Sequence, residues 1–484
     1  MNNRNSVVGF VSPIFIAISL LTLVFGLMSG EMEYLYISIF LGGPFLLGLI
    51  IAARTKSDLL IVFALAALVS GWLAPLGFFW ERDKFTYSGQ SGIKDFQFFV
   101  FEFIGLYIPV LAGYFIILSM AIIPFLRQRK SMTPVSVGVY LAPKMSKKHK
   151  HSASSRLIFV AVILVFVAIN WWMFTNSIGI TGINPPELPF KLSGILYYTA
   201  RFVLPIILMY LMTKFRPTSI ELLLLVAYGC FASLASVSKT TLFLLFMPAL
   251  IIMFLHRRFI LLGFGLVLLA IFYSVVGVAR NFVYLVEGGI SVRNINFSLI
   301  EVLSNSILDY TAEDLFSGPL AIIERIGGGQ DVVLAAQYDS NLVAGPIAEF
   351  IRLYIFDFWG LALTAQGLMY DYTPDVVGYA TGDGGFFAHM LLAGSGSVVM
   401  MLVVALYQGA LLAIANLTYM RMLKCCVPRE LVLLYAIFFC IFFFALSIPL
   451  WLNSFIIVTS VVVRTKTFRT FFVRHSKVDI RLST

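Results

Sequence analysis

The sequence predicts an all-α polytopic membrane protein with about twelve transmembrane helices and one large external loop. Hydrophobic residues make up 60% of the 484 residues, charged residues only 12%, and the mean hydropathy is +0.94. Water-soluble domains carry about 25% charged residues, so the composition excludes a soluble globular protein. Long apolar runs and a regular alternation of basic connections support the same fold class.

Twelve apolar runs have the length of a membrane span, which is about 20 residues. They lie at about 8–28, 32–52, 59–80, 98–125, 157–176, 197–213, 219–237, 240–256, 259–279, 395–416, 430–447 and 449–463. The first run is longer than the core of a signal peptide, and no Ala-x-Ala cleavage site follows it. We therefore interpret it as the first transmembrane helix.

Basic residues indicate how the spans are oriented. If the N-terminus is cytoplasmic, every cluster of Lys and Arg falls on the cytoplasmic side, as the positive-inside rule requires. The largest cluster is 127–156, with eight Lys or Arg and no Asp or Glu. Residues 1–279 then form nine spans and 395–484 form three spans with a basic tail. Both termini are predicted to be cytoplasmic, in a bacterial inner (plasma) membrane, so the net charge of +10 reflects orientation and not nucleic-acid binding.

Residues 280–394 form the one long external connection. They contain thirteen of the chain's 24 Asp and Glu but only four basic residues, all of them Arg. A connection of this length is usually functional. Within it, the apolar stretch 346–370 carries Glu349, Arg352 and Asp357. This pattern predicts an amphipathic or re-entrant helix at the outer membrane interface.

A lysine stands between the seventh and eighth spans, on the predicted outer side, in the sequence SVSKTT of residues 236–241. In one interpretation Lys239 extends its long side chain to the membrane interface, which basic side chains do readily. In the other, the hydroxyl groups, the free N–H groups of a helix start and the ammonium form an anion site for phosphate.

Arginines are the second group of candidates. The loop contains Arg280, Arg293, Arg325 and Arg352, and Arg201 lies inside the sixth span near its outer end. Each arginine could simply neutralise a nearby carboxylate. Alternatively, the set could bind a lipid-linked pyrophosphate, because guanidinium stays charged and holds two oxygens at once. A charge within a span is a functional candidate by default.

A glycine-rich segment precedes the tenth span, with the sequence GDGGFFAH over residues 382–389. Asp383 and His389 can both accept a proton, so they are candidates for a catalytic acid–base pair. The alternative is structural, with Asp383 capping a helix and His389 packing against it. No second histidine and no cysteine stands nearby, so neither a metal site nor another cofactor is expected.

These features resemble the bacterial O-antigen polymerases (Wzy-type oligosaccharide repeat unit polymerases). The resemblance covers about residues 200–415. It depends on SVSKTTLFLLFMPALIIMFLHRR, on the external loop that begins at Arg280, and on GDGGFFAHMLLAGSGSVVMM. The loop lacks the Arg-x10-Gly spacing of some relatives. The resemblance implies a membrane glycosyltransferase of the GT-C type that polymerises undecaprenyl-pyrophosphate-linked repeat units at the periplasmic face, for O-antigen of lipopolysaccharide or a related surface polysaccharide.

The resemblance further implies that the arginines bind the pyrophosphate and that a carboxylate or imidazole deprotonates the acceptor sugar. The implied partners are the lipid-linked glycan, the bilayer, and a chain-length regulator and flippase of the same pathway. Two alternatives remain open. An O-antigen ligase would share the external loop, and a polysaccharide flippase or secondary transporter would instead place polar groups along its spans.

Overall fold

The structure is a computed structural model of the whole chain. It describes residues 33–55, 57–73, 76, 96–130, 152–176, 178–180, 192–215, 217–286, 387, 390, 398–425, 427–445 and 449–465. Within these ranges the ordered elements are helices and there is no β-strand. The backbone of a membrane span must satisfy its own hydrogen bonds, and a helix does so within one segment.

The helices of the first part of the chain are α1 (Glu33–Thr55), α2 (Asp58–Leu68, extended by a π-helical turn Val69–Leu73), α3 (Phe96–Lys130) and α4 (Ser152–Thr175). The next is α5, in which the π-helical turn Thr199–Val203 joins Leu192–Tyr198 to Leu204–Met212. There follow α6 (Ser219–Ser236), α7 (Lys239–Leu255), α8 (Phe259–Val286), α9 (Val398–Lys424), α10 (Arg429–Cys440, extended by a π-helical turn Ile441–Ala445) and α11 (Pro449–Arg464).

Among the described residues, six helical stretches are long and apolar enough to cross a membrane: Tyr107–Pro124, Ser154–Thr175, Leu192–Met212, Ser219–Ser236, Phe259–Gly277 and Met401–Lys424. Four shorter apolar stretches lie at Ile39–Thr55, Asp58–Leu73, Lys239–Leu255 and Phe455–Arg464. The predicted class, an all-helical membrane protein, is confirmed at this level. The number of twelve spans stays a prediction, and the first predicted span, 8–28, lies outside the described residues.

Several helices continue beyond the apolar runs that predict them. Helix α8 extends through Arg280 to Val286, although the apolar run ends at about residue 279, and α3 continues to Lys130. Hydropathy marks the part of a helix at membrane depth, whereas backbone hydrogen bonding can continue past it. The connection predicted to be external therefore begins in a helical extension and not directly at the end of the apolar run.

The chain divides into two compact units that do not follow its order. Unit 1 comprises Met1–Ala142, Ile323–Cys426 and Tyr435–Thr484, and unit 2 comprises Pro143–Ile322 and Val427–Leu434. The division of the sequence into 1–279, 280–394 and 395–484 followed hydropathy along the chain. Packing instead brings α9 and α11, near the C-terminus, into the same unit as α1, α2 and α3.

Unit 1 is organised by the close packing of α3 and α9. A Cβ atom added at Gly409 would lie 3.3 Å from the Cα of Ile117 and 2.6 Å from the sulfur of Met120, so a small residue is needed there. Small residues at such contacts are typical of helix pairs in membranes. At one end of this pair Asn416 donates to the carbonyl of Ala121 (3.3 Å) and accepts from the hydroxyl of Ser57 (3.0 Å).

Unit 2 contains α4 to α8, and its contacts define two opposite ends. At one end Arg156 pairs with Glu221 at 3.4 Å, and Arg258 donates to the carbonyl of Pro217 at 2.8 Å. At the other end an apolar cluster joins Phe174, Ile180, Val237 and Ala279. Residues predicted to be cytoplasmic thus gather at one end, and residues predicted to be external gather at the other.

Candidate functional site

The turn between α6 and α7 carries the serine–lysine–threonine sequence. Ser238 is the N-cap of α7, and its hydroxyl accepts from the backbone N–H of Thr241 (3.3 Å). The hydroxyl of Ser236 donates to the carbonyl of Ala232 (2.7 Å) and lies 3.3 Å from the hydroxyl of Thr241. Hydroxyl residues at this position are expected, because serine and threonine satisfy the N–H groups left free by a starting helix.

Val237 forms the turn itself, with a left-handed backbone at φ 47°. This region is unusual for a β-branched residue and costs about 1–3 kcal/mol. The fully buried side chain offsets that cost by packing in the cluster with Phe174, Ile180 and Ala279. Two backbone hydrogen bonds, from Val237 to Leu234 and from Ser238 to Ser233, close the end of α6. Burial of Val237 and these hydrogen bonds together hold the turn between α6 and α7.

Lys239 is the first residue of α7 and turns toward α8. Its Nζ lies 4.5 Å from the centre of the Tyr273 ring. Gly277, one helical turn beyond Tyr273, faces the same ammonium, because a Cβ added there would lie 2.9 Å from Nζ. The ring attracts the cation, and the missing side chain at Gly277 leaves room for it. The lysine is thus held at this end of the unit between α7 and α8.

Arg201 is buried within α5 at 5% exposure, in the π-helical turn Thr199–Val203. Its Nη2 donates to the carbonyl of Gly179 at 2.8 Å, and its guanidinium carbon lies 3.4 Å from the centre of the Tyr197 ring. In the described part of the chain these two groups are its partners, and neither is a carboxylate. Turns of the π type occur often at functional sites. A carbonyl and a ring orient the guanidinium without neutralising its charge.

The members of the apolar cluster are close in sequence to three predicted site residues. Ile180 follows Gly179, which accepts from Arg201, and Val237 precedes the α7 start that carries Lys239. Ala279, the fourth member, directly precedes Arg280 in α8. The turn that contains Arg201 also contacts α7. Lys239, Arg201 and the backbone of Arg280 therefore lie at the same end of unit 2.

The other predicted site residues fall outside what the structure describes: Arg293, Arg325, Arg352, Asp383 and His389. For Arg280 the structure gives the helical backbone only. Two described residues flank His389 in the sequence. Phe387 packs in unit 1 with its ring centre 5.3 Å from that of Phe45, and Met390 contacts Gly113. Both side chains are fully buried.

The sequence reasoning missed the groups that hold the two cations. Tyr197 stands four residues before Arg201, and Tyr273 stands four residues before Gly277. Residues separated by four positions lie on the same face of a helix, so the Tyr197–Arg201 pair could have been found from spacing. Tyr273 could not, because its partner Lys239 belongs to another helix. Gly179, at φ 72°, gave no signal beyond being a glycine.

The arrangement offers cations and N–H donors to an anion. The ammonium of Lys239 lies at the start of α7, the helix end that favours anions, although the N–H of Thr241 is already bonded to the hydroxyl of Ser238. The guanidinium of Arg201 lies in α5, and α8 contains Arg280 near its C-terminal end. Among the described residues, no group of three His, Cys, Asp or Glu side chains is placed to hold a metal ion. No protein-family model, no curated protein and no solved structure matches this chain.

Proposed function

We propose that the protein polymerises undecaprenyl-pyrophosphate-linked oligosaccharide repeat units at the outer face of a bacterial inner membrane. One observation carries the proposal: Val237 and Ala279 pack in one cluster, so that Lys239 and the beginning of the acidic connection at Arg280 share one end of unit 2. The buried guanidinium of Arg201 belongs to the same end. A lipid-linked diphosphate requires such cations at the depth of the lipid head groups.

In the proposed reaction, the hydroxyl oxygen of the acceptor sugar attacks the anomeric carbon of the donor glycan. The bond from that carbon to the carrier's pyrophosphate breaks, and the diphosphate leaves with the electron pair. Arg280 and the loop arginines Arg293, Arg325 and Arg352, with Lys239 and Arg201, stabilise the charge on the leaving group, which is usually the largest catalytic contribution. Asp383 or His389 takes the proton of the attacking hydroxyl.

The proposed membrane arrangement has twelve spans, with both termini cytoplasmic and the connection 280–394 outside. The six long apolar helices support membrane insertion. The separation of the Arg156–Glu221 end of unit 2 from the Val237–Ala279 end supports the alternation of sides. A chain-length regulator and a flippase would act with the enzyme, because the polymer must have a defined length and its repeat units must first cross the membrane.

The test is complementation of a strain that lacks the gene, with gel analysis of the surface polysaccharide. Lys239→Ala and Arg280→Ala should remove the long chains and leave glycans of one repeat unit. Lys239→Arg retains a cation and should restore part of the length. Lys424→Ala, which removes an exposed lysine at the end of α9, is the control for a lost charge. Each variant is compared at equal membrane abundance, measured by immunoblot.

The same gel separates the alternative functions. A polymerase mutant still displays single repeat units, whereas loss of a flippase or a ligase removes every repeat unit from the surface. Normal chain length in both Lys239→Ala and Arg280→Ala would contradict the proposed role of these cations. Complete absence of repeat units in the deletion strain would contradict polymerisation and favour the ligase or the flippase.

A further inference from the structure

The end of unit 2 opposite to Lys239 gathers cations from three elements around the short connection between α5 and α6. Arg156, near the start of α4, lies 5.8 Å from the centre of the Phe215 ring and pairs with Glu221. Lys214 lies within the connection, with Nζ 4.7 Å from the centre of the Tyr210 ring. Arg258, which precedes α8, donates to the carbonyl of Pro217. These contacts hold three basic side chains beside one connection.

Within the described ranges, Arg258 has one guanidinium nitrogen with a partner and one without. Its Nη2 donates to the carbonyl oxygen of Pro217 at 2.8 Å. Its Nη1 is buried and has no hydrogen-bond partner in the described part of the structure. A buried guanidinium nitrogen without an acceptor is unfavourable, because no hydrogen bond compensates for the loss of water around it. An added acceptor oxygen from a ligand would remove that cost.

The charge balance at this end favours an anion. Around the connection between α5 and α6, the contacts described above involve three basic side chains, Arg156, Lys214 and Arg258, and one acid, Glu221. Glu221 is already engaged, because Oε1 faces Arg156 while Oε2 accepts from the backbone and hydroxyl of Thr218. The single acid therefore cannot also neutralise Arg258.

Apolar side chains next to these cations face outward. Leu157 follows Arg156 and is 74% exposed, Ile220 precedes Glu221 and is 78% exposed, and Ile260 lies two residues after Arg258 and is 94% exposed. In a membrane-spanning bundle such side chains contact acyl chains. A ligand that bridges the cations and this apolar rim needs an anionic head and an apolar tail. A free phosphate would use only the cations.

We infer that this cluster, Arg156, Lys214 and Arg258, binds the head group of an anionic phospholipid in the leaflet on that side. The phosphate oxygens accept from Arg258 and Lys214, and the acyl chains lie along Leu157, Ile220 and Ile260. Basic pockets between helices at the cytoplasmic surface bind such head groups. The site is independent of the proposed polymerase reaction, because it lies at the end of unit 2 away from Lys239.

The test is native mass spectrometry of the purified full-length protein, titrated separately with phosphatidylglycerol, cardiolipin and phosphatidylcholine. We expect retention of the anionic lipids. Arg258→Gln and Lys214→Gln each remove one positive charge and should each lower the affinity for the anionic lipids about fivefold. Glu221→Gln should raise it, because the acid is removed while glutamine still completes the helix cap. Arg54→Gln, an exposed cation of unit 1, is the control and should change nothing.

Three results would overturn the inference. Equal binding of phosphatidylcholine and the anionic lipids would show that charge does not select the ligand. Equal losses in Arg54→Gln and Arg258→Gln would show general surface attraction and no site. Inorganic phosphate, added in excess over lipid, distinguishes a lipid site from a free-anion site: displacement of the lipid would contradict the inference, and retention supports it. Size-exclusion chromatography verifies that each variant is folded.

Discussion

Lys239 places its ammonium 4.5 Å from the centre of the Tyr273 ring, and Gly277 leaves the space beside it. The lysine begins α7, whereas both neighbours belong to α8. The ammonium is therefore positioned by residues of another helix, more than thirty positions away in the sequence. This relationship offers a way to move the ammonium without removing it.

Gly277→Ala should shorten the polymer while leaving the protein folded. The new Cβ would lie 2.9 Å from Nζ and 3.1 Å from Cε of Lys239, so the flexible side chain must shift. A misplaced catalytic or binding group commonly costs about a hundredfold in rate for a displacement of about 1 Å. Chain length on gels is the measurement. Gly263→Ala, in the same helix with no atom within 4 Å of the new Cβ, is the matched control. Equal effects of the two substitutions would contradict a role for the ammonium's position.

Arg201→Ala should reduce both chain length and stability. The substitution leaves the partly buried carbonyl of Gly179 without its donor, which costs about 1 kcal/mol for a typical hydrogen bond. Loss of the contact with Tyr197 adds about 0.5–2 kcal/mol. Thermal unfolding in detergent measures the loss of stability, and gel analysis measures the chain length. Tyr197→Phe retains the aromatic ring and should keep most of the stability. If Tyr197→Phe is as destabilised as Arg201→Ala, the ring contact with the guanidinium is not the stabilising interaction.

Gly409→Ala should destabilise unit 1 by separating α3 from α9. The Cα of Ile117, a backbone atom, would stand 3.3 Å from the added Cβ and cannot rotate away. Overpacking of this kind costs about 1–3 kcal/mol. Gly105→Ala, on the α3 side with nothing within 4 Å of the added atom, provides the comparison. The measurement is the thermal midpoint of the purified protein, and an unchanged midpoint for Gly409→Ala would contradict the close helix contact.

Ser57 and Asn416 should be energetically coupled. The Ser57 hydroxyl donates to Oδ1 of Asn416 at 3.0 Å, between residues 359 positions apart in the sequence. Hydrogen bonds between membrane helices average about 0.6 kcal/mol in double-mutant cycles, with a maximum of about 1.7. A cycle of Ser57→Ala and Asn416→Leu measured by unfolding should give a coupling of that size. Strictly additive losses would show that the two side chains do not interact.

Local features of the site were predictable from sequence, and its assembly was not. The turn at 236–239 was evident, because hydroxyl residues and a lysine interrupt two apolar runs, and the structure ends α6 at Ser236 and begins α7 at Lys239. That Val237 and Ala279 pack together was not evident. The roles of Asp383 and His389 stay predictions, since both residues lie outside the described part of the chain.

The sequence by itself determined the all-helical membrane class, the apolar segments and the alternation of basic connections. These properties depend on the transfer of each segment from water to lipid, which is a local quantity. Only the tertiary structure decided that α9 packs with α3, that Lys239 lies over Tyr273, and that Arg201 donates to Gly179. Those contacts depend on shape and hydrogen-bonding complementarity between segments far apart in the chain, because apolar helices gain no hydrophobic free energy from one another within lipid.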